Sequence, residues 1–486
     1  MNKFILSLDQ GTTSSRALLI DQNGKISGIV QKELTQIYPD NGWVEHNPNE
    51  ILNSQIEVID QVISENNIEI SQIAAIGITN QRETAVVWDK DTGIPIYNAI
   101  VWQDIRTTDI CEDLKNKNLD KEISNKTGLL IGPYFSATKI SWILNNVKSA
   151  KERAKSGKLL FGTIDSWLIW NLTDKQTHAT DFSNASRTML YNINKLEWDS
   201  DILNELDIPK SMLPKVLNSS ANFGNFNYKG HKIPIYGVLG DQQASLFGQK
   251  CFDETSTKNT YGTGCFMLMN TEEKIIKSKN GLLSTIAWGI NGKICYALEG
   301  SIFIAGAGIQ WLRDEMGIIN SSEESEEHAL KSSDKSNLFV VPAFNGLGAP
   351  HWDMYATGLI IGITRDTNKS DIIKATLDSI AYQTKDVMLS MEKDSQSKIK
   401  LLKVDGGASN NNYLMQFQSD ILGIKIERPH NTEITALGAA YIAGLLCSFW
   451  DINHLKNLKY PNTNFNPKFS SDKINKLYQN WNNAVK

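Results

Sequence analysis

The chain has 486 residues, and its 49 Lys and Arg side chains stand against 54 Asp and Glu, which gives a net charge of −5. Hydrophobic residues make up 41% and charged residues 21%, which is too apolar for a disordered chain and typical of a soluble globular protein. No long basic stripe occurs, so the charge pattern excludes nucleic acid as the main partner.

The first eighty residues predict strands that alternate with a helix. Apolar runs of strand length lie at residues 4–8, 16–20, 26–30 and 73–78. Asn47 and Pro48 predict a helix start, with Glu50 able to reach back to the cap and apolar residues following on one face at 52, 56, 59 and 63. This alternation is typical of an α/β layered fold.

The second half of the chain repeats this organisation. A turn of small residues at 262–264 joins two predicted strands, and a strand at 401–404 lies between amphipathic helices at 371–391 and 411–422. A boundary near residue 250 divides the chain into domains 1–250 and 251–486 with a cleft between them. There is no short-period repeat, which excludes solenoids and propellers.

Cysteine usage and one apolar stretch bear on location. Five cysteines are scattered without a CxxC pair or zinc spacing, and the first ten residues lack a signal-peptide core, which predicts a cytoplasmic protein. Residues 434–450 carry no charge over 17 residues, the lower limit of a membrane span. Because this stretch contains two glycines and is isolated, we predict a buried core helix and no membrane insertion.

Residues 9–16 read DQGTTSSR between two predicted strands and predict a phosphate-binding turn. Gly11 allows close approach of a ligand, and the consecutive hydroxyls and backbone N–H groups can surround phosphate oxygens. Asp9, at the end of a strand, is suited to bind Mg²⁺ through water. A plain hairpin turn would not need four consecutive hydroxyl residues with Arg and Asp beside them.

Other nucleotide fingerprints are absent or weak. No GxxxxGK[ST] motif, complete GxGxxG motif or protein-kinase catalytic loop occurs. A Gly-Gly turn at residues 405–411 follows an apolar strand and opens a helix, where a nucleoside could approach closely. Asp241 follows the predicted strand 235–239, and ligands of open α/β folds bind at the carboxyl ends of strands. Each of these features alone is more often structural than functional.

Taken together, these motifs resemble the glycerol kinases of the FGGY family of carbohydrate kinases, in family order from residue 8 to residue 441. The resemblance is carried by LDQGTTSSRALL, GITNQRET, IVWQDIR, FGTIDSWLIW, NASRTML, GDQQASLFGQ, NTYGTGCFMLMN, ALEGSIF, QWLRDE, PAFNGLGAPHWD, SIAYQT, VDGGASNN, LMQFQSDILG and TALGAAY. Residues 134–142 and 358–378 resemble the signatures of the wider family. The resemblance implies two actin-like ATPase (ribonuclease H-like) domains, the first binding glycerol and phosphate and the second binding the nucleotide.

The resemblance also implies the site residues. Glycerol hydroxyls would be bound by Arg82, Glu83, Tyr134, Asp241 and Gln242, with Trp102 and Phe266 packed on the carbon chain. ATP would be bound by Thr12, Thr13, Ser14, Arg16, Thr263, Gly306, Gln310, Gly407 and Asn411. Asp241 would be the catalytic base, and Asp9 (through water) and Asp241 would hold Mg²⁺.

The implied activity is ATP-dependent phosphorylation of glycerol to sn-glycerol 3-phosphate, which serves glycerol catabolism and the supply of lipid precursors. The residue types suit this substrate, because Arg82 offers a planar fork of donors and Glu83 a pair of acceptors for adjacent hydroxyls. Placement of the pair directly after the apolar strand 73–78 favours a binding role over a surface ion pair. Phosphoryl transfer then needs positioning, charge neutralisation and a carboxylate to accept the hydroxyl proton.

Two alternatives remain open. A kinase of another polyol or sugar, such as xylulose or ribulose, would keep the ATP motifs but change Arg82, Glu83 and Trp102. A non-catalytic actin-like nucleotide switch would lack the carboxylate at Asp241. The family further implies a homodimer or homotetramer. Residues 223–233 match neither the fructose-bisphosphate loop nor the phosphorylated histidine of some relatives, so the resemblance does not extend to these two regulatory inputs.

Overall fold

Two twisted β-sheets with the same strand arrangement organise the molecule, and the computed structural model describes residues 3–332, 337–344 and 346–486. The first sheet has six strands, in the order Asn225–Tyr228, His231–Gly240, Ile73–Asn80, Phe4–Gln10, Ser14–Asp21 and Ile26–Glu33. Its last three strands form an antiparallel meander, and its central strands pair in parallel.

The second sheet has seven strands, in the order Leu283–Ile290, Lys293–Ile302, Cys265–Glu272, Thr257–Tyr261, Leu401–Asp405, Lys425–Pro429 and Asn462–Phe465. Here too an antiparallel meander is followed by two strands in parallel pairing. The predicted duplication of an α/β unit is therefore confirmed. The turn at residues 262–264 and the strand after residue 400 lie where the sequence predicts them.

Helices cover the sheets and fill the segments between their strands. The α-helices are Pro48–Glu65, Thr108–Asn116, Asp120–Thr127, Ser136–Asn146, Ala150–Lys155, Ile164–Leu172, Phe182–Ala185, Ser200–Glu205, Asp241–Gly248, Gly306–Asp314, Glu324–Lys331, Lys369–Ser395, Asn412–Leu422, Ile434–Leu446, Ile452–Asn457 and Ser471–Val485. Short paired strands lie at Glu45–His46, Val86–Asp89, Ala99–Ile100, Leu159–Gly162, Ala179–Asp181, Tyr191–Asn192, Glu197–Trp198, Lys215–Leu217, Phe339–Val341 and Leu359–Ile361.

Two helices cross between the sheets and join the halves of the molecule. Asp241–Gly248 leaves the first sheet and contacts strands of the second, whereas Ile434–Leu446 leaves the second sheet and packs on the central strands of the first. At the crossing a Cβ on Gly438 would lie 1.8 Å from the carbonyl oxygen of Ala244, so only glycine permits this approach. The helix Ile434–Leu446 in the apolar stretch 434–450 thus belongs to the core, as predicted.

The membrane alternative for residues 434–450 finds no support. In the described parts of the chain no helix is long and apolar enough to cross a membrane. The helix Ile434–Leu446 is buried on nearly every side because it lies between the first sheet and the helix Asp241–Gly248. The division at residue 250 stays a proposal, since this late helix is packed against the first sheet.

Details of the helix Pro48–Glu65 differ from the prediction. Asn47 caps it as expected, but Glu50 accepts a hydrogen bond from the backbone N–H of Thr35 at 2.9 Å instead of closing a capping box. The buried apolar residues are Ile51, Val58, Ile59, Val62 and Ile63. The predicted face is thus confirmed at Ile59 and Ile63, whereas Leu52 and Ile56 are only partly buried. The strands Ser14–Asp21 and Ile26–Glu33, which pack against the helix, decide which face is covered.

Candidate active site

Arg82 and Asp241 meet because two neighbouring parallel strands end beside each other. The strands Ile73–Asn80 and His231–Gly240 pair in parallel up to Asn80 and Gly240, and both side chains follow directly. Arg82 Nε lies 3.3 Å from Asp241 Oδ1, and 3.5 Å from Glu83 Oε1. Asp241 begins a helix and accepts a hydrogen bond from the backbone N–H of Gln242 at 2.7 Å. Three residues predicted to bind the substrate, Arg82, Glu83 and Asp241, thus share one pocket at a sheet edge.

Aromatic rings form the wall of this pocket. Trp102 makes edge-to-face contacts with Tyr134 and Phe266, with ring centroids 5.6 Å and 6.1 Å apart. The guanidinium carbon of Arg82 lies 6.0 Å from the centre of the Phe266 ring. Phe266 belongs to the second sheet, whereas the other three side chains come from the first half of the chain. The pocket is therefore built from both halves.

A buried ion cluster that the sequence did not predict supports the pocket floor. Glu299 accepts hydrogen bonds from both terminal nitrogens of Arg82, at 2.6 Å and 2.9 Å, and from Arg187 Nη2 at 2.9 Å. Arg187 also donates through Nε to Glu83 at 2.8 Å. The terminal nitrogens of the Arg82 fork are thus bonded to a carboxylate, in addition to any role toward substrate hydroxyls.

Asp241 has the environment of a base that is accessible and costly to ionise. Its side chain is 29% exposed, which leaves it open to the cleft. Partial burial raises the pKa of Asp241 above its ordinary value, while Arg82 opposes that rise. A carboxylate with a raised pKa accepts a proton more readily than a solvated one.

Gln242 is bonded to a buried cation from the second sheet. Its side-chain oxygen accepts a hydrogen bond from Lys258 Nζ at 2.6 Å, and the same ammonium group donates to Thr260 at 2.7 Å. Burial lowers the pKa of Lys258 to about 8. The network continues to Asp405, which accepts from Thr260 at 2.6 Å and from Ser245 at 2.9 Å. The helix that carries Asp241 is therefore anchored to the second sheet.

The predicted phosphate turn lies beside the substrate pocket. Trp102 donates its indole N–H to the hydroxyl of Thr12 at 2.9 Å, which links the two sites. The exposed Thr13 follows, and its carbonyl accepts from Leu34 at 2.9 Å, while the carbonyl of Ser14 accepts from Gly11 at 3.0 Å. These backbone bonds hold the turn in shape.

Arg16 lies next to this turn but is paired across the two halves. Its Nη1 is 2.7 Å from Glu433, the residue before the helix Ile434–Leu446, and 3.8 Å from Asp9. Burial raises the pKa of Asp9 to about 6, and Arg16 only partly opposes that rise. Asp9 therefore shares Arg16 with Glu433, and its own ion pair with that guanidinium is the longer of the two.

Two of the residues predicted to bind the nucleoside, Gly306 and Gly407, lie near the turn at residues 262–264, since a Cβ built on Gly306 would be 2.6 Å from the carbonyl oxygen of Gly262 and 3.9 Å from Ala408. The carbonyl of Thr263 accepts from the backbone N–H of Ala305 at 2.8 Å, and Gly306 donates to Gly262 at 3.0 Å. Nothing lies within 4 Å of a Cβ built on Gly407, so open space adjoins it. Gln310 is exposed on the helix Gly306–Asp314, and Asn411 caps the helix Asn412–Leu422.

Glu299, Arg187, Lys258 and Glu433 are the site residues that sequence reasoning missed. Glu299 and Arg187 lie inside the motifs ALEGSIF and NASRTML, whereas Lys258 immediately precedes NTYGTGCFMLMN and Glu433 lies two residues before TALGAAY. The partners of Glu299, Arg187 and Glu433 lie more than one hundred residues away, and those of Lys258 lie 16 and 2 residues away. Nothing in the spacing of the four residues indicates these pairings.

Comparison with known proteins identifies the fold and the family. Models of the N-terminal and C-terminal domains of the FGGY family of carbohydrate kinases match residues 4–248 and 257–447. The chain belongs to the FGGY family of carbohydrate kinases. Two curated relatives are the glycerol kinase of Caldanaerobacter subterraneus subsp. tengcongensis, 59% identical over 100% of this chain and 98% of its own length, and glycerol kinase 2 of Thermotoga maritima, 58% identical over 99% and 98%.

Solved structures agree with this FGGY assignment. The crystal structure of Plasmodium falciparum glycerol kinase with ADP superposes with a TM-score of 0.92 at 38% identity and covers 99% of this chain and 97% of that one. A ligand-bound xylulose kinase from Lactobacillus acidophilus has a TM-score of 0.88 at 23% identity and covers 99% and 98%, which bears on the fold alone. The predicted duplicated actin-like fold is therefore confirmed.

Proposed function

We propose that this protein transfers the γ-phosphoryl group of ATP to glycerol and forms sn-glycerol 3-phosphate and ADP. The observation that carries the proposal is one pocket in which Arg82, Glu83 and Asp241 face an aromatic wall. Curated glycerol kinases that are 57–59% identical over nearly the whole chain support glycerol as the substrate. A xylulose or ribulose kinase remains the weaker alternative.

The pocket chemistry suits a small polyol. Glycerol has three hydroxyls and little apolar surface, so its binding site needs matched donors and acceptors with a small apolar contact. Arg82 and Glu83 supply the polar partners, with Tyr134, while Trp102 and Phe266 contact the carbon chain. Asp241 takes the proton of the attacking glycerol hydroxyl. The oxygen of that hydroxyl bonds to the γ-phosphorus while the bond from the γ-phosphorus to ADP breaks in line with it.

ATP is the second substrate, and its binding is part of the same proposal. The phosphates are assigned to Thr12, Thr13, Ser14, Arg16 and Thr263, and the nucleoside to Gly306, Gln310, Gly407 and Asn411. Backbone N–H groups and hydroxyls of a turn after a strand suit phosphate oxygens. Open space beside Gly407 supports close approach of a nucleoside.

The residues near the phosphate turn also fit Mg²⁺. Asp9 is a buried carboxylate whose ion pair with Arg16 is long, at 3.8 Å, because Arg16 is bonded to Glu433 at 2.7 Å, and a divalent ion with its waters would compensate its charge further. In the described part of the chain no group of three or more His, Cys, Asp or Glu side chains that could hold a metal ion occurs. We assign the ion to Asp9, through water, and to Asp241. Such an ion would neutralise phosphate charge during transfer.

An assay of ADP release tests the proposal directly. The purified enzyme is given ATP with glycerol, dihydroxyacetone, glyceraldehyde, xylulose or ribulose in turn, with and without added Mg²⁺. We expect kcat/KM to be highest for glycerol and release without a polyol to be slow. A higher kcat/KM for xylulose or ribulose than for glycerol would show that the substrate is a ketopentose and would contradict the assignment of glycerol. ATP turnover that no polyol stimulates would support a nucleotide switch and contradict the kinase function.

A cytoplasmic location and a homodimer or homotetramer complete the proposal. Five free cysteines suit a reducing compartment. Apolar side chains exposed along one segment, at Tyr355, Leu359, Ile361 and Ile363, offer a surface for a second copy. Light scattering of the eluting protein measures the mass, and a monomer at micromolar concentration would contradict the oligomer.

A further inference from the structure

Glu299 is a buried carboxylate that connects the second sheet to the substrate pocket of the first half. It lies on the strand Lys293–Ile302, its side chain is 0% exposed, and it is bonded to Arg82 and Arg187 as described above. Arg82 and Glu299 are 217 residues apart in the chain. None of the functions assigned so far to the pocket residues requires a carboxylate at this position.

The cluster contains two positive and two negative side chains, Arg82 and Arg187 with Glu83 and Glu299. Removal from water is costly for all four, and well-packed apolar residues often stabilise a core equally well. Stability alone is therefore a weak reason for such a cluster. Geometric specificity is a better one, because a carboxylate bonded to both terminal nitrogens fixes the plane of the Arg82 guanidinium.

That plane determines what Arg82 presents to the pocket. With both terminal nitrogens held by Glu299, Nε is the nitrogen that lies 3.3 Å from Asp241. One terminal nitrogen of Arg82 also lies 3.4 Å from the Tyr134 hydroxyl. Arg187 reaches the same pocket, since its guanidinium carbon is 5.9 Å from the centre of the Tyr134 ring. Its Nη1 is buried and has no hydrogen-bond partner.

We propose that Glu299 is a positioning residue that orients Arg82 and Arg187 for the polyol, so that polyol recognition requires contact between the two halves of the enzyme. Glu299 does not touch the reacting atoms and acts through the two arginines. The inference rests on the proposed function, because it concerns the polyol site of that reaction. It predicts that losing the Glu299 charge impairs polyol binding more than ATP binding.

Three variants test this proposal. Glu299→Gln keeps the shape but removes the charge, and Glu299→Asp keeps the charge on a shorter arm. Asp386→Asn is the matched control, since Asp386 is a buried carboxylate of the second half that accepts from the indole N–H of Trp481 at 2.9 Å, outside the pocket. The measurements are KM for glycerol, KM for ATP, kcat and the melting temperature of each purified protein.

We expect Glu299→Gln to raise the glycerol KM by about tenfold or more, the scale for losing charge-assisted hydrogen bonds, and to leave the ATP KM within about twofold. Glu299→Asp should recover part of the loss. Asp386→Asn should lower the melting temperature and change neither KM.

Several results would overturn the proposal. They are an unchanged or lowered glycerol KM in folded Glu299→Gln, or equal changes in both KM values. If Glu299→Gln does not fold, Glu299→Asp carries the test through geometry, because its shorter arm should not hold both terminal nitrogens of Arg82 in the same plane. A wild-type glycerol KM in that variant would then show that this plane does not matter for polyol binding and would overturn the proposal. Failure of the proposed function appears separately, as a wild-type enzyme that does not phosphorylate glycerol. If the wild type prefers another polyol, the same comparison of KM values is made with that substrate.

Discussion

Replacing Asp241 by Asn tests the proposed base with little change of shape. The amide oxygen can still accept from the backbone N–H of Gln242, now 2.7 Å from the carboxylate, but the amide cannot take a proton from the attacking hydroxyl. Glu83 is bonded to Arg187 at 2.8 Å and is not free to replace it. We expect kcat to fall by about 10² or more, or roughly 2.7 kcal/mol of transition-state stabilisation.

Stability should change in the opposite direction. Burial raises the pKa of Asp241, which means that its charge is costly in the folded protein, and the neutral amide removes that cost. Arg82 remains paired with Glu299 in the variant. We therefore expect an unchanged or higher melting temperature, together with nearly unchanged ATP binding.

The assay combines ADP release with thermal melting and an ATP titration. Asp165→Asn is the control, because Asp165 is a buried aspartate that is bonded to Thr163 and Thr180 away from the pocket. The control should keep wild-type kcat. Near-wild-type turnover of Asp241→Asn would remove Asp241 from the role of base, and a large drop in its melting temperature would refute the argument from burial.

Three further predictions follow from the same contacts. Arg82→Ala leaves Glu299 and Glu83 as buried carboxylates without this partner, so it should lower the free energy of unfolding in urea by roughly 3–5 kcal/mol. It should also raise the glycerol KM strongly and leave the ATP KM nearly unchanged. An equal loss of ATP affinity would assign Arg82 to the phosphate site instead. Glycerol with a non-hydrolysable ATP analogue should reduce the radius of gyration in small-angle scattering, because Thr12 and Thr263 from different halves must reach one nucleotide and closure excludes water; an unchanged radius would contradict closure but not the kinase function. Burial raises the pKa of Asp165 from 3.8 to about 7. The contribution of protonated Asp165 to stability is therefore complete below pH 4 and is lost as the pH rises through 7, a loss of up to about 4 kcal/mol in the free energy of unfolding. Between pH 5 and pH 8 the wild type should lose more of this free energy than Asp165→Asn, and equal losses would show that the folded protein does not raise the pKa of Asp165.

Local patterns were enough to predict the elements that carry the site. The strand Ile73–Asn80 is buried throughout, and its apolar run reads as a strand without any tertiary information. The turn after Phe4–Gln10 and the position of Asp241 after His231–Gly240 follow from residues adjacent in the chain. The sequence places Arg82 and Asp241 each at the carboxyl end of a strand, and the structure shows that these two strands are parallel neighbours, which brings the side chains together.

Local patterns could not predict which face of a helix is buried or which buried charges pair with each other. The covered face of Pro48–Glu65 depends on what packs over it, and both faces offered apolar residues. The apolar pattern after residue 433 predicts a core helix, but it does not predict where that helix packs. The helix follows a strand of the second sheet in the chain and packs against the first sheet. Close packing at Gly438 and Ala244 decides that place.

The sequence by itself thus determined the α/β elements, the duplicated plan and, through family motifs, the residues proposed to bind glycerol and ATP. Only the tertiary structure showed that Glu299 holds the Arg82 fork, that Lys258 holds Gln242 and that Glu433 pairs with Arg16. The physical reason is that a motif reports residues that are neighbours in the chain. An ion pair between residues 217 positions apart depends on how two sheets meet across crossing helices, and no local pattern encodes that distance.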